Sequence, residues 1–212
     1  MQLVRPARVH MPAYAAALRR GWSPNTMRPE AAAEELQQID SDAEGFLALM
    51  HDPEAKGPPV TMPDGSQRPR IPGLRRWMWA DDGDLAGGGS DDSIDPVDPL
   101  DPHHESRFIG SISLRWMAGH APLPPHVLGH IGYTVVPWWQ RRGHGTQALA
   151  LMLGVAREMG LPRVEITTDP DNIASQKVIT GNSGRLVGSF DDRAVHGRNV
   201  VWRYAIDLAR RG

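Results

Sequence analysis

One stretch of the chain, His130 to Thr146, decides the fold, and it reads HIGYTVVPWWQRRGHGT. Its first seven residues are rich in β-branched and aromatic side chains, which favours a strand. Pro137 cannot donate a hydrogen bond to a neighbouring strand, so the strand ends before it. From Thr146 to Met159 apolar residues recur with helical spacing. The stretch therefore predicts a strand, a turn and a helix in succession.

The turn between this strand and helix has the features of a phosphate-binding loop. Gly143 and Gly145 carry no side chain, so the backbone can approach a ligand closely. The first amides of the following helix have no partner within it, and the helix dipole places positive charge behind them. Arg141 and Arg142 add full charges. No Gly-Lys-Ser/Thr follows, and a third glycine at dinucleotide-binding spacing is missing, so this is not a common nucleotide-binding loop.

Two motifs connect the loop to a known family. The order Gln-x-x-Gly-x-Gly, from Gln140 to Gly145, resembles the pyrophosphate loop of the GNAT superfamily of acyl-CoA-dependent N-acetyltransferases. The segment from Asp171 to Ile179 reads DNIASQKVI and resembles the Asn-x-x-Ser/Ala segment of the same superfamily. Both motifs lie within residues 130–190, in the family's order, and are similar to a bacterial branch of predicted acetyltransferases.

The rest of the chain supplies strands and helices around this core. Alternating apolar residues predict strands at residues 1–9, 74–80, 107–116, 127–136, 163–168, 185–190 and 200–207. Helical spacing predicts helices at residues 12–20, 29–49 with an interruption at 40–42, 146–159 and 173–180. With the resemblance, this implies an α+β (α/β) fold. Its mixed, mostly antiparallel central sheet has about seven strands flanked by helices, with a β-loop-α-β cofactor-binding core.

Two segments are predicted to lie outside this framework. Residues 51–73 are rich in proline and glycine and are expected to form a long loop, either a binding lid or a mobile connection. Residues 81–105 are acidic and nearly free of apolar side chains, so we expect an exposed, partly disordered insertion. We expect residues 1–212 to form a single domain that carries this flexible acidic loop.

Composition narrows the function. A net charge of −2 does not support a nucleic-acid or anionic-membrane partner. The sequence contains no cysteine, which excludes disulfides, thiolate nucleophiles and cysteine metal sites. The aspartates of residues 91–101 lack calcium-loop spacing, so no metal is expected. No apolar stretch reaches about 18 residues, and we expect a cytoplasmic protein.

The resemblance implies a binding site for acetyl-CoA. Main-chain groups of Val135 and Val136 would pair with the pantetheine arm, and the amides from Arg141 to Thr146 would hold the pyrophosphate. Side chains of the second motif would bond the cofactor arm. The cofactor-binding residues implied in this way are Val135, Val136, Gln140, Arg141, Arg142, Gly143, His144, Gly145, Thr146, Asn172 and Ser175. The acceptor amine would enter from the opposite side, where the two parallel strands splay apart after Val135.

The catalytic residues are less clearly implied. Attack on a thioester requires a neutral amine, and the leaving thiolate must be protonated or shielded. Many GNAT enzymes use a tyrosine for the second task, at the position that Ile179 occupies here. Tyr133 and Tyr204 are substitute candidates, with core packing as the favoured alternative for each of them. His130 is our first candidate for the base and Glu165 the second; a satisfied strand-end histidine is the alternative for His130.

These observations favour an N-acetyltransferase that moves an acetyl group from acetyl-CoA to a primary amine by direct attack in a ternary complex. Ile179 leaves open a non-catalytic CoA-binding sensor or assembly module, and the loop alone leaves open a phosphate- or nucleotide-binding regulator. We expect a small-molecule or peptide amine as the acceptor and no nucleic-acid or membrane partner. A homodimer is left open, and the sequence does not identify the acceptor.

Overall fold

The computed structural model describes residues 1–26, 28–62, 65–86, 107–120, 122–192 and 198–208, and these contain ten strands and six α-helices. The helices are α1 (Met11–Arg19), α2 (Ala31–Ser41), α3 (Ala43–Leu49), α4 (Asp82–Ala86), α5 (His144–Glu158) and α6 (Ile173–Gly181). The strands are β1 (Gln2–Val4), β2 (His51–Asp52), β3 (Val60–Thr61), β4 (Gln67–Arg68), β5 (Gly73–Trp79), β6 (Phe108–Arg115), β7 (Ile131–Val135), β8 (Arg163–Thr168), β9 (Arg185–Asp192) and β10 (Arg198–Asp207). No helix of these ranges is long and apolar enough to cross a membrane.

The strands form two main sheets and a separate hairpin. The first sheet has the order β1-β5-β6-β7, with β2 paired to β5, and the second has the order β8-β10-β9. All of these pairs are antiparallel, as is the β3–β4 hairpin. The mixed, mostly antiparallel fold expected from the sequence is confirmed, but its strands are divided between two sheets.

The helices cover both faces of the first sheet. Tyr14 of α1 stacks on Trp77 of β5 with ring centroids 4.3 Å apart. Trp22, which follows α1, donates from its indole N–H to the Thr134 hydroxyl of β7 at 3.2 Å. A side chain placed on Gly145 of α5 would instead meet Val135 of β7. Because successive strand residues face opposite sides, α1 and α5 lie on opposite faces of β7.

The two sheets meet at the start of β7 and then separate. The main-chain N–H of His130 donates to the Glu165 carbonyl of β8 at 2.7 Å. Gly129 allows this approach, since a Cβ there would lie 2.8 Å from the same oxygen. Beyond this contact β7 pairs with β6 and β8 with β10, in different sheets. β7 and β8 therefore separate from Ile131 onward, earlier than the predicted opening after Val135. The space between these two strands is called the gap below.

Several element boundaries differ from the predictions for local reasons. The strand predicted from Val127 begins only at Ile131, because the Val127 N–H donates to the Pro124 carbonyl in a turn at 2.8 Å. The predicted break in the second helix is real. There the carboxylate of Asp42 caps α3 by accepting from the Gly45 amide at 2.9 Å.

The two predicted loops are more ordered than expected where they are described. The loop predicted for residues 51–73 contains β2 and the β3–β4 hairpin. The acidic insertion predicted for residues 81–105 begins with α4, and its remainder lies outside the described residues.

Candidate active site

The turn from β7 into α5 presents a run of main-chain donors. Arg141 and Gly143 both adopt the left-handed region, with φ of 60° and 81°, and this turns the chain sharply into α5. The first hydrogen bond of α5 is donated by the Gln147 N–H to the Gly143 carbonyl at 3.1 Å. Among the described residues, the amides from Arg141 to Thr146 have no acceptor. Unpaired amides at the positive end of a helix form a binding site for an anion.

The two glycines of this loop serve different purposes. Gly143 has a positive φ but open space around it, so the backbone conformation is what requires glycine. Gly145 sits in a tight contact, because a Cβ there would lie 3.3 Å from a methyl group of Val178 on α6. The Asn182 side-chain amide at the end of α6 donates to the Thr146 carbonyl at 3.1 Å. The loop is therefore held against α6 on one side.

The side chains of the loop mostly pack against its own aromatic residues. The guanidinium carbon of Arg142 lies 4.8 Å from the Trp139 ring centroid, and Arg141 is exposed. His144 is buried, and its ring meets Trp139 edge-on at 5.3 Å. Burial lowers the pKa of His144 and keeps the imidazole neutral. The main-chain amides, rather than these side chains, are thus the part of the loop left for a ligand.

Val136 does not fit the role that the resemblance implied for it. Its N–H donates to the Ile109 carbonyl of β6 at 2.9 Å, and its carbonyl accepts from the Trp139 amide at 3.0 Å. Val136 is also fully buried. Its backbone is therefore already paired within the protein, so its pairing with pantetheine stays a prediction, and this geometry argues against it.

The residues before Val136 provide the open edge instead. Antiparallel pairing uses the backbone groups of alternate residues, so Tyr133 and Val135 direct their N–H and C=O groups away from β6 and into the gap. The Gln140 side-chain amide donates to the Val135 carbonyl at 3.1 Å. Gln140 thus ties the loop to the strand, and the N–H of Val135 stays available on the open edge.

A pair of hydroxyl groups spans the gap between β7 and α6. The Tyr133 hydroxyl lies 2.9 Å from the Ser175 hydroxyl. Burial raises the pKa of Tyr133 to about 12, so its hydroxyl stays protonated at neutral pH. Asn172 caps α6, since its side-chain oxygen accepts from the Ser175 amide at 3.0 Å. The amide hydrogens of the Asn172 side chain have no acceptor among the described residues, so they can donate to a ligand.

A cleft of about 980 Å³ leads to these hydroxyls. Its wall includes Tyr133, Asn172 and Ser175 at the gap, together with polar residues of β5 and β6 on the α1 side of the sheet. Among the residues that the structure describes, no group of three or more His, Asp or Glu side chains could hold a metal ion. The cleft joins the α5–α6 side, where the loop lies, to the α1 side through the gap beyond Ile131.

The two candidate bases lie together at the closed end of the gap. The imidazole Nδ1 of His130 accepts from the Glu165 amide at 3.0 Å, and burial lowers the pKa of His130. A neutral imidazole that accepts at Nδ1 carries its hydrogen on Nε2 and has no free lone pair. The Glu165 carboxylate lies 3.6 Å from Arg203 and 3.7 Å from Arg163. Neither side chain lines the cleft, so their roles as base stay predictions, and the geometry argues against them.

Tyr204, the second candidate acid, and Ile179, at the family's tyrosine position, both lie in the core. Tyr204 of β10 is 5% exposed and pairs across the sheet with Ile166 of β8, and its side chain does not line the cleft. Its role as an acid stays a prediction, and this position favours packing. Ile179 is fully buried among the residues of the core, so its site offers no access to a cofactor.

Sequence reasoning missed three residues that shape the site. Gly129 permits the contact between the sheets, and a Cβ on Gly132 would lie 3.1 Å from a guanidinium nitrogen of Arg115. Arg115 itself lines the cleft. The signal was present in β6, where Ser111, Ser113 and Arg115 alternate with apolar residues and mark a polar face.

Solved structures with a similar fold span nearly the whole chain. The fold matches RimL, a ribosomal L7/L12 alpha-N-protein acetyltransferase in complex with coenzyme A, with a TM-score of 0.54 and 16% identity over 97% of this chain and 92% of that one. It also matches the microcin C7 self immunity acetyltransferase MccE in complex with acetyl-CoA and AMP, with a TM-score of 0.53 and 12% identity over 97% and 91%. At these identities the likeness concerns the fold.

A shorter match and a family model complete the comparison. This chain covers 61% of a GNAT-family acetyltransferase from Bacillus anthracis, with 24% identity over 49% of its own length and a TM-score of 0.39. A search of curated proteins finds no match. A model of the acetyltransferase (GNAT) domain matches residues 34–182. It confirms the resemblance and the predicted acetyltransferase class. Since the matched residues span more than half of this chain, the chain belongs to the GNAT acetyltransferase family.

Proposed function

We propose that the protein transfers an acetyl group from acetyl-CoA directly to a primary amine in a ternary complex. One observation carries the proposal: the unpaired amides at the start of α5, the open edge of β7 and the Tyr133–Ser175 hydroxyl pair follow one another along a single gap. That order suits a ligand with a diphosphate, a long amide-containing arm and a reactive end.

The main-chain groups of the loop and strand fit the cofactor. The amides from Arg141 to Thr146 would hold the diphosphate, with the dipole of α5 behind them. The open edge at Val135 would pair with the pantetheine arm as an added strand does, and the side-chain amide of Asn172 would donate to the same arm. Acetyl-CoA supplies the acetyl group as a thioester, which is already activated toward amines.

Tyr133 is the residue that we assign to the leaving group. As the amine nitrogen bonds to the acetyl carbon and the carbon–sulfur bond breaks, negative charge collects on sulfur. The Tyr133 hydroxyl, protonated because of its raised pKa, would donate a hydrogen bond to that sulfur, and Ser175 at 2.9 Å holds the hydroxyl in place. CoA would leave as the thiolate, which takes its proton from water in the cleft. Tyr133 thus occupies the functional position that Ile179 leaves vacant.

We propose that water in the open cleft accepts the proton of the incoming ammonium group. The lone pair of His130 is engaged by the Glu165 amide, and the Glu165 carboxylate lies near two arginines. Neither candidate base is therefore placed to accept a proton from an amine in the cleft. Much of the rate would come from holding the amine against the thioester.

The non-catalytic CoA-binding module is the less favoured function. It was suggested by the isoleucine at position 179, but Tyr133 places a hydroxyl at the gap from a different element. Calorimetric titration with CoA and thiol release from acetyl-CoA across a panel of amines separate the two functions. We expect binding and turnover; the absence of CoA binding would overturn the proposal, and binding without turnover on every amine would leave the module.

We further propose that residues 1–212 act as one domain. Two hydrogen bonds between His130 and Glu165 support this, because they join the first sheet to the second at the site itself. A cytoplasmic location and a homodimer stay predictions. Analytical ultracentrifugation of the purified chain tests whether it forms a homodimer.

A further inference from the structure

The cleft on the α1 side has a floor of aligned polar residues. Arg75 of β5 pairs with Ser113 of β6, and Ser113 pairs with Gly132 of β7. Cross-strand partners project from the same face of a sheet, and Arg115 lies two residues from Ser113 on that face. All four residues line the cleft. The floor therefore carries two arginines, Arg75 and Arg115, on one face of the sheet.

Most arginines of this cleft are already paired with acids. Arg75 donates to the Glu35 carboxylate at 2.9 Å, and Arg28 donates to Glu34 at 2.6 Å. Arg70 lies 3.8 Å from the Asp52 carboxylate. Each of these charges is balanced by the protein itself.

Arg115 is different. Among the described residues its guanidinium has neither an ion pair nor a hydrogen bond. Burial lowers the pKa of Arg115, and the neighbouring positive charge of Arg75 lowers it further. The Arg115 side chain is half-buried and lines the cleft, so its guanidinium is only partly exposed to water, and the described part of the chain places no acid on it. An anion that enters the cleft would form with Arg115 the ion pair that the protein itself does not supply.

Gly132 leaves the room for this guanidinium. A Cβ at that position would lie 3.1 Å from Nη2 of Arg115, so the guanidinium lies across β7 at Gly132. Tyr133, whose hydroxyl reaches the gap, is the next residue of the strand. Neighbouring strand residues face opposite sides of a sheet, and the cleft reaches both sides, because Arg115, Tyr133 and Ser175 all line it. An anion on Arg115 would therefore share one cleft with the reacting end.

We infer that Arg115 binds an anionic group of the acceptor, so that the substrate is a primary amine carrying a carboxylate or phosphate near its nitrogen. This rests on the proposed acetyl transfer. The planar fork of a guanidinium matches both anions with two hydrogen bonds. The amine would then lie at the gap while its anionic group is held on the floor of the cleft.

Matched acceptors test this inference. Thiol release from acetyl-CoA is measured with serine against serinamide and with phosphoethanolamine against ethanolamine. We expect kcat/KM to favour the anionic member of at least one pair by about tenfold or more, and the favoured pair identifies the anion. Arg115→Gln should remove the preference while leaving CoA affinity unchanged, and Arg115→Lys should restore part of it. Arg28→Gln, which removes a paired arginine of the same cleft, should keep it.

Two outcomes would overturn the inference while acetyl transfer stands: turnover of amines without preference for the anionic member, or a preference that survives Arg115→Gln. If CoA binds but no amine is acetylated, the proposed function fails, and anion binding is read directly. Acetate and inorganic phosphate, at constant ionic strength, should then raise Tm of the CoA-bound native protein more than that of Arg115→Gln. Equal shifts in the two proteins would refute the anion site.

Discussion

Replacing Gly145 with valine tests the loop where its geometry is tightest. A Cβ at this position would lie 3.3 Å from a methyl group of Val178 and 4.0 Å from one of Val135, and the valine methyl groups extend further. Overpacking of this kind costs about 1–3 kcal/mol, which a stability of about 5–15 kcal/mol tolerates. The strain is relieved by moving the start of α5 away from α6, and this displaces the amides proposed to hold the diphosphate.

The expected loss of affinity follows from those amides. A hydrogen bond to a charged group contributes about 1.5–3 kcal/mol, so losing two should weaken CoA binding by about 10²- to 10⁴-fold. Calorimetric titration with CoA measures the affinity, and thermal melting followed by circular dichroism checks the fold. Gly154→Val is the matched control, because Gly154 lies on the same helix with no atom within 4 Å of an added Cβ. A folded Gly145→Val protein that binds CoA as tightly as this control would refute the loop assignment.

Three other substitutions test individual contacts. Asn172→Ala should lower the free energy of unfolding by about 1 kcal/mol and weaken CoA binding. Asp42→Ala is its control, because it removes the cap of α3 and should leave CoA binding unchanged. Urea denaturation measures the stability of both variants, and calorimetry measures their CoA binding. Tyr133→Phe should lower kcat about 100-fold with unchanged CoA affinity, and, since the pKa of Tyr133 is about 12, the native pH–rate profile should show no loss from this group up to about pH 10. Burial lowers the pKa of His130 in the folded protein, so as pH falls the imidazole is protonated in the unfolded chain before it is protonated in the folded one. The free energy of unfolding should therefore fall as pH drops below about 6.5. His130→Gln should make that fall shallower in urea denaturation between about pH 8 and pH 5, and an unchanged slope would contradict the buried neutral imidazole.

Local patterns in the sequence were enough to predict the loop. Pro137 ends the strand, the glycines at 143 and 145 open the turn, and the apolar spacing of α5 follows directly. Each of these effects depends on residues close in the chain, so no tertiary information was needed. The same holds for the break at Asp42, where a side chain caps the helix that begins beside it.

Features set by contacts between distant residues could not be predicted in this way. The position at which β7 and β8 separate depends on the His130–Glu165 contact, which joins residues far apart in sequence. The pairing of Val136 depends on Ile109 of another strand, and this decides that Val135 rather than Val136 remains open. Both features depend on which partner a backbone group has, and side-chain patterns carry little information about that.

The charge of the cleft shows the same limit for function. The chain as a whole has a net charge of −2, and residues 81–105 are acidic. The floor of the cleft is nevertheless cationic, because strand register places Arg75 and Arg115 on one face, and among the described residues Arg75 has an acid beside it while Arg115 has none. Net charge sums over residues that never meet, whereas a substrate contacts the few that line one cavity. Specificity at this site therefore depends on which arginine lacks a partner, and that is a property of the folded chain.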